Sequence, residues 1–253
     1  MFVAKDFFNF GIELSLSMDK ELILELRQKG FRVLKRHFAQ SLITACKDWF
    51  WPTLLTYLDA NRGAPNRGPH RHFLPMPFDG AGFLPEFFFD KQVLGIVRGA
   101  MDDRIVADQW GCDVSLRGSE YQLPHVDYKR PLFEEMPGLE LPAYMLVVSF
   151  GLVPITSENG AIEIAPGTHR LDRKAEIEMQ PVPLGMGDVL IRHPWCVHRG
   201  SPNRTDEPRP LVTIRYVRRW YADNSREVAS IPGELWDSFK PEEQSLMRFP
   251  IGD

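Results

Sequence analysis

From residue 104 onward the hydrophobic period of this chain changes, and that switch limits the folds open to it. Before it, apolar residues recur at helical spacing. After it, short segments alternate apolar with polar residues and are separated by Gly, Pro or Asn. Strands are expected at about 104–110, 112–117, 119–124, 143–150, 161–165, 179–184, 187–192, 195–199 and 210–219. Many short strands after a helical section point to a β-barrel or sandwich with helices packed outside it.

The helical flank covers about 17–103. Ser17 suits an N-cap, Leu22, Ile23 and Leu26 form one stripe, and Gly30 suits the C′ position, so a helix is expected over 18–29. Phe31 to Leu34 reads as a short strand. A second helix over 39–59 carries Leu42, Ile43, Cys46, Trp49 and Phe50 at helical spacing, with a kink or a break into two helices expected at Pro52. Residues 61–85 are rich in Pro and Gly and read as a long loop, a kind that is often functional. A helix over 89–101 closes the flank. Residues 1–16 fit a short strand or an arm, and the tail, about 230–250, reads as one or two short helices around Pro241. No linker composition interrupts the chain, so residues 1–253 are expected to form one domain, mainly β with flanking helices (α+β).

His125 and Asp127 lie two apart in Leu123-Pro124-His125-Val126-Asp127-Tyr128. In extended backbone, residues i and i+2 point to the same side, so an imidazole and a carboxylate here can share one metal ion. A second histidine from elsewhere would complete the two-histidine, one-carboxylate set that suits non-haem Fe(II). By itself a His-x-Asp triplet is as compatible with a surface histidine beside a turn-forming aspartate. The segment from Gly187 to Gly200 supplies two candidates, His193 and His198. Eleven residues after His198 comes Arg209, opening the strand Pro210 to Tyr216. The polar connection 200–208 would let the two strands run side by side as a long hairpin, bringing Arg209 near the end that carries His198. That spacing favours His198 over His193. A planar, always charged guanidinium suits a carboxylate, as a 2-oxo acid bound to the metal would need.

Composition narrows the alternatives. The net charge of −4 gives no global electrostatic case for nucleic acid or a membrane surface. Three cysteines, Cys46, Cys112 and Cys196, are too few and too odd a set for a disulfide framework, so a reducing cytoplasm is expected. Met1 to Phe10 lacks the apolar core of a signal peptide, and no apolar run reaches the ~18 residues of a membrane span. The 17 Phe and 6 Trp fit a β-rich core with an aromatic-lined cavity.

Taken together, several stretches resemble the phytanoyl-CoA dioxygenase family of Fe(II)/2-oxoglutarate oxygenases. They are Pro124 to Asp127, Ser157 to Arg170 (SENGAIEIAPGTHR), Gly187-Asp188, His193-Pro194, His198, Pro202-Asn203 and Arg209, with Lys29 to Leu34 resembling the family's opening strand. The resemblance implies a double-stranded β-helix (jelly-roll, cupin-like) core over about 104–219. It implies Fe(II) held by His125, Asp127 and His198, 2-oxoglutarate held by Arg209, and O2 as the oxidant. The implied activity is oxidation of a small organic molecule, with hydroxylation of a C–H bond as the default and desaturation, epimerisation or cyclisation as alternatives from the same site. Halogenases of this broad group lack the carboxylate ligand, so Asp127 sets the chain apart from them.

Other residues compete for roles. His169 falls at a turn and is read as structural, and His70 and His72 as surface or substrate-side. Arg215 shares the face of Arg209 if alternation holds, but lies about 20 Å further along the strand. Many members of the family carry a hydroxyl residue two positions after the distal histidine; here that residue is Gly200, and Ser201 could restore the contact by a one-residue shift. Gln122 and Tyr144 are further candidate donors to 2-oxoglutarate. Residues 61–85 and 128–142 are candidate lids, and Arg117, Lys129, Arg130 and His72 candidate contacts for an anionic substrate. A cupin-like metal-binding or sensor protein without turnover is the reading from another class. A zinc or manganese hydrolase or isomerase using the same triad is a third, disfavoured because a hydrolase has no use for Arg209. The expected partner is a small molecule, with no nucleic acid, no membrane and no stated oligomeric state.

Overall fold

The computed structural model describes residues 20–61, 64–79, 84–128, 142–170, 177–222 and 228–252. The possible arm at 1–16, the N-cap Ser17, and Lys129 and Arg130 lie outside the described residues, as does most of the candidate lid over 128–142.

Residues 20–29 are helical (α1) and stop at Gly30, whose φ of 79° is the left-handed value a C′ glycine supplies. A side chain there would also strike the ring of His169 and the sulfur of Cys196 at 2.5 and 2.9 Å. Strand β1 (Phe31–Leu34) follows, then α2 (Gln40–Ala60). Ile43, Cys46, Phe50, Leu54 and Leu58 form the buried stripe of α2. The kink or break expected at Pro52 does not divide the helix. Pro52 and Asp48, the residue whose carbonyl loses its donor, both lie on the exposed side, where solvent can take over that hydrogen bond.

The stretch read as one long loop contains an edge strand, β2 (Arg71–Pro75), whose Pro75 needs no ladder donor at the strand end. Two helices follow, α3 (Pro85–Phe89) and α4 (Lys91–Ala100). Asp90 caps α4 by accepting from the Val93 amide at 2.8 Å.

The strands are β3 (Ile105–Ser115), β4 (Met145–Gly151), β5 (Ile162–Ile164), β6 (Gln180–Val182), β7 (Val189–Arg192), β8 (His198–Arg199) and β9 (Arg209–Arg218). Two expected strands, 104–110 and 112–117, are one, because Gly111 continues the ladder; the segment 119–124 is irregular. The tail carries β10 (Ile231–Pro232), α5 (Gly233–Ser238), α6 (Pro241–Leu246) and β11 (Ile251–Gly252).

A six-stranded sheet runs β1-β7-β4-β9-β3-β2 and faces a three-stranded sheet, β6-β5-β8. All pairings within both are antiparallel. This is the jelly-roll arrangement, a mainly β core with a few helices outside it. Alternation along the strands separates two environments. On β9, Val212, Ile214 and Tyr216 join a large core with α2 and α4, whereas Arg209, Leu211, Thr213 and Arg215 face the space between the sheets. A smaller core between the sheets joins Ile164, Val182, Leu190 and Leu211. The hairpin expected between 195–199 and 210–219 is not formed. β8 pairs with β5 and β9 with β3 and β4, so the connection 200–208 crosses from one sheet to the other.

The Gly187-Asp188 turn ties β7 to the segment after β1. Asp188 accepts from the amides of Arg36 and Gly185 and from Lys35 Nζ, each at 2.8 Å. Burial would raise its pKa, but these donors outweigh it and lower it. A carboxylate depressed in the folded state stabilises above its unfolded pKa, about 3.9, and loses that contribution as pH falls through the folded value. Asp188→Ala should therefore cost about 2–3 kcal/mol at neutral pH. The gap from wild type should shrink in strongly acidic buffer, as read by denaturant unfolding at both pH values.

Candidate functional site

His125 and His198 are joined by a reciprocal backbone pair: each amide donates to the other's carbonyl at 2.9 Å. The Asp127 amide donates to the Pro194 carbonyl at 3.0 Å, fixing the segment a second time. This docks the irregular run after β3 onto β8, which begins at His198. His125, Asp127 and His198 then converge, with one ligand atom from each lying within 4.8 Å of the others.

Each histidine has its Nδ1 tied to a main-chain carbonyl, His125 to Leu123 at 2.8 Å and His198 to Cys196 at 2.9 Å. A carbonyl only accepts, so Nδ1 carries the proton and Nε2 presents a lone pair. Burial and then Arg192 lower the pKa of His198, against the pull of Asp127, which favours the neutral ring a metal requires. Burial would raise Asp127, but Arg192 and His198 outweigh it and hold the carboxyl well below its usual range. Its two oxygens face Arg192 Nη2 at 2.7 Å and His198 Nε2 at 3.4 Å. Two imidazoles and one carboxylate in this arrangement fit a divalent ion such as Fe(II).

The three groups open onto a cavity of about 260 Å³ between the sheets. Arg209 lines it, buried, and opposite Ser115, whose hydroxyl accepts from Nε at 3.2 Å. Asn203 holds the crossing connection there, donating from Nδ2 to the carbonyls of Ser115 and Glu207 at 2.9 Å each. Arg209 thus reaches the cavity by way of β3, not by a hairpin with β8.

Gln122 also lines the cavity, but its Oε1 accepts from the Gly200 amide at 2.9 Å, pinning it to the strand of His198. Tyr144 lies elsewhere. The register sets Met145 opposite Val217 and Gly151 opposite Leu211, so Tyr144 sits by Arg218, about 30 Å along β9 from Arg209. Its ring packs on Trp195, Trp220 and Tyr221. His193 and His169 pack ring against ring at 5.2 Å near Gly30, away from the three converging groups. His72 stacks edge-on against Tyr57.

The substitution by Ser201 does not occur: its hydroxyl donates to the Ala161 carbonyl at 2.5 Å. The space above Gly200 is taken instead by Arg71, whose Nη1 lies 2.7 Å from where a Cβ would stand. Sequence reasoning missed Arg71, which it placed in a loop. It also missed Arg192, which ends the apolar run Val189 to Ile191. The one available signal for Arg192 was its strand parity with Leu190. Both arginines are buried and line the cavity.

Ala substitution at His125, Asp127 or His198 should abolish tight Mn(II) binding, read by electron paramagnetic resonance, while the circular dichroism stays native-like. In metal-free protein, Asp127→Ala should also cost roughly 2–4 kcal/mol by leaving Arg192 without its partner, and a second change, Arg192→Met, should recover most of that loss.

The Phytanoyl-CoA dioxygenase (PhyH) family model matches residues 27–211. Dioxygenase FrzG from Cladobotryum sp is 27% identical over 144 residues, covering 52% of this chain and 47% of that protein. Methylphosphonate hydroxylase from Gimesia maris is 24% identical over 133 residues, covering 42% of this chain and 51% of that one. The chain spans about half the length of the curated relatives it matches. Among solved structures, the non-heme alpha ketoglutarate dependent epimerase SnoN from nogalamycin biosynthesis superposes with a TM-score of 0.60 at 18% identity, covering 87% of this chain and 97% of SnoN. HygX from Streptomyces hygroscopicus, with nickel and 2-oxoglutarate bound, gives 0.58 at 15% identity, covering 84% and 95%. These likenesses share the jelly-roll fold, and the family match covers most of the chain: it belongs to the phytanoyl-CoA dioxygenase family.

Proposed function

We propose that the protein is an Fe(II)- and 2-oxoglutarate-dependent dioxygenase that hydroxylates a small organic molecule. The observation that carries this reading is the pairing of the His125, Asp127 and His198 cluster with two buried guanidinium groups, Arg209 and Arg71, in the same cavity. Burial and the neighbouring charge of Arg209 push Arg71 down to about 10. Two like charges held this close in a desolvated pocket call for an anion between them. Asp113 shares the region, but burial raises its own pKa, with Arg67 and Arg209 opposing, so it answers this positive charge weakly.

In this reading His125, Asp127 and His198 hold the iron, and Arg209 with Arg71 holds the far carboxylate of 2-oxoglutarate. Gln122 braces the His198 strand through the Gly200 amide. Bound there, iron and the oxo acid supply the oxidising chemistry, in which 2-oxoglutarate is decarboxylated to succinate, O2 is consumed and a substrate C–H bond is oxidised. The chain's own residues fix the tautomers of both histidines, hold Asp127 ionised and keep the co-substrate end dry.

Anaerobic Fe(II) with 2-oxoglutarate should give a weak visible charge-transfer band, and slow succinate formation should follow on admitting O2. A metal-binding protein without turnover would give no succinate, and that outcome would overturn the reading. Arg209→Met should weaken 2-oxoglutarate binding by roughly 2–5 kcal/mol, measured by calorimetry with Mn(II), while Mn(II) affinity itself holds. Unchanged co-substrate affinity would move the clamp elsewhere.

A further inference from the structure

Arg192 has more hydrogen-bonding capacity than the proposed chemistry uses. It ends β7, is 8% exposed, and its side chain faces the cavity. Nη2 pairs with Asp127 Oδ2 at 2.7 Å, while Nη1 is buried with no hydrogen-bond partner among the described residues. An unmet guanidinium N–H in such a place is costly unless something arrives to accept from it.

The neighbours define what could arrive. Val147 on β4 is opposite Arg192 on one side and Arg215 on the other, so both arginines stand level on the inner face. Arg215 is held by Asp108, to which it donates from Nε at 2.7 Å and from Nη2 at 3.0 Å and which it shares with Arg248, whose Nη2 lies 2.8 Å from Oδ2; Arg215 also donates to the Tyr128 hydroxyl. Among the described residues the carboxylate in direct contact with Arg192 is Asp127, which the proposed iron would claim, while Asp113 acts on it only through space. Arg209 stands six residues along β9 from Arg215, about 20 Å away. The cavity therefore has two cationic ends, and the one at Arg209 is assigned to the co-substrate. The wall presents five guanidinium groups, Arg67, Arg71, Arg192, Arg209 and Arg215, against Asp113 and Asp127, with Asp108 behind it shared between Arg215 and Arg248. A divalent ion and a dianionic oxo acid cancel in charge, so loading the site leaves the positive excess in place.

We infer that Arg192 is a specificity-determining residue that binds an oxyanion group of the primary substrate, a carboxylate, sulfonate or phosphonate, on the side of the metal cluster away from Arg209. The inference rests on the reading of the site as an Fe(II)/2-oxoglutarate centre. The substrate anion accepts from Nη1 while Nη2 keeps Asp127 oriented.

The test is calorimetry on protein loaded with Mn(II) and 2-oxoglutarate, titrated with acetate, methanesulfonate and uncharged acetamide. Wild type should bind one or both anions and not acetamide. Arg192→Met should weaken anion binding about tenfold or more, with Arg192→Lys recovering part of it. Arg209→Met should lose 2-oxoglutarate yet keep the anion site in the Mn(II) protein. Equal anion binding in wild type and Arg192→Met overturns the inference, as does displacement of 2-oxoglutarate by the anions. A loss of Mn(II) affinity in Arg192→Met without a loss of anion binding would make Arg192 a positioning residue for Asp127 and also overturn it. If wild type fails to bind 2-oxoglutarate but still binds the anions through Arg192, the dioxygenase reading falls and the assignment of Arg192 stands.

Discussion

The reciprocal main-chain pair between His125 and His198 is the contact on which the site depends. It spans the gap between a run with little regular structure and a strand of only two residues. Neither element could hold a ligand still by itself. Joined, and with the Asp127 amide on the Pro194 carbonyl, they place three donor groups together. The tied Nδ1 atoms then decide which ring nitrogen each histidine offers.

That pair is stable because the large sheet behind it is. One face of β9 is apolar and packs with α2, α4 and the aromatic group of Phe87, Phe150 and Trp110; the other face carries Arg209, Thr213 and Arg215 into the cavity. Burying guanidinium groups is expensive, and the fold offsets it unevenly. Arg215 has Asp108 as a bidentate partner, while Arg71 and Arg209 lean mainly on carbonyls and a hydroxyl. The unevenness leaves Arg71 and Arg209 without a carboxylate hydrogen bond among the described residues.

Strand parity made much of this legible beforehand. His125 and Asp127 are two apart in extended backbone, and Arg209 opens a strand whose alternate residues are apolar. The role of Gly30 could likewise be read from its position after a helical stripe. The route by which Arg209 arrives could not, because a hairpin between 195–199 and 210–219 satisfies the same local pattern as a crossing between sheets. Pro52 misled for a related reason: the consequence of a proline in a helix depends on which side meets solvent. Tyr144 was named for its chemistry, and the register of β4 against β9 carries it to the far end of the sheet.

By itself the sequence determined the mainly β core, the three residues that converge and the family, since each rests on residue types at fixed spacing along the chain. Only the tertiary structure decided that Arg71 fills the space left open at Gly200 and that Arg192 meets Asp127. Arg71 is 54 residues before His125 and Arg192 is 65 after Asp127. No local period encodes such meetings. They arise from which strands pair and which face each residue presents, and a charged residue reads as solvent-facing until the fold encloses it.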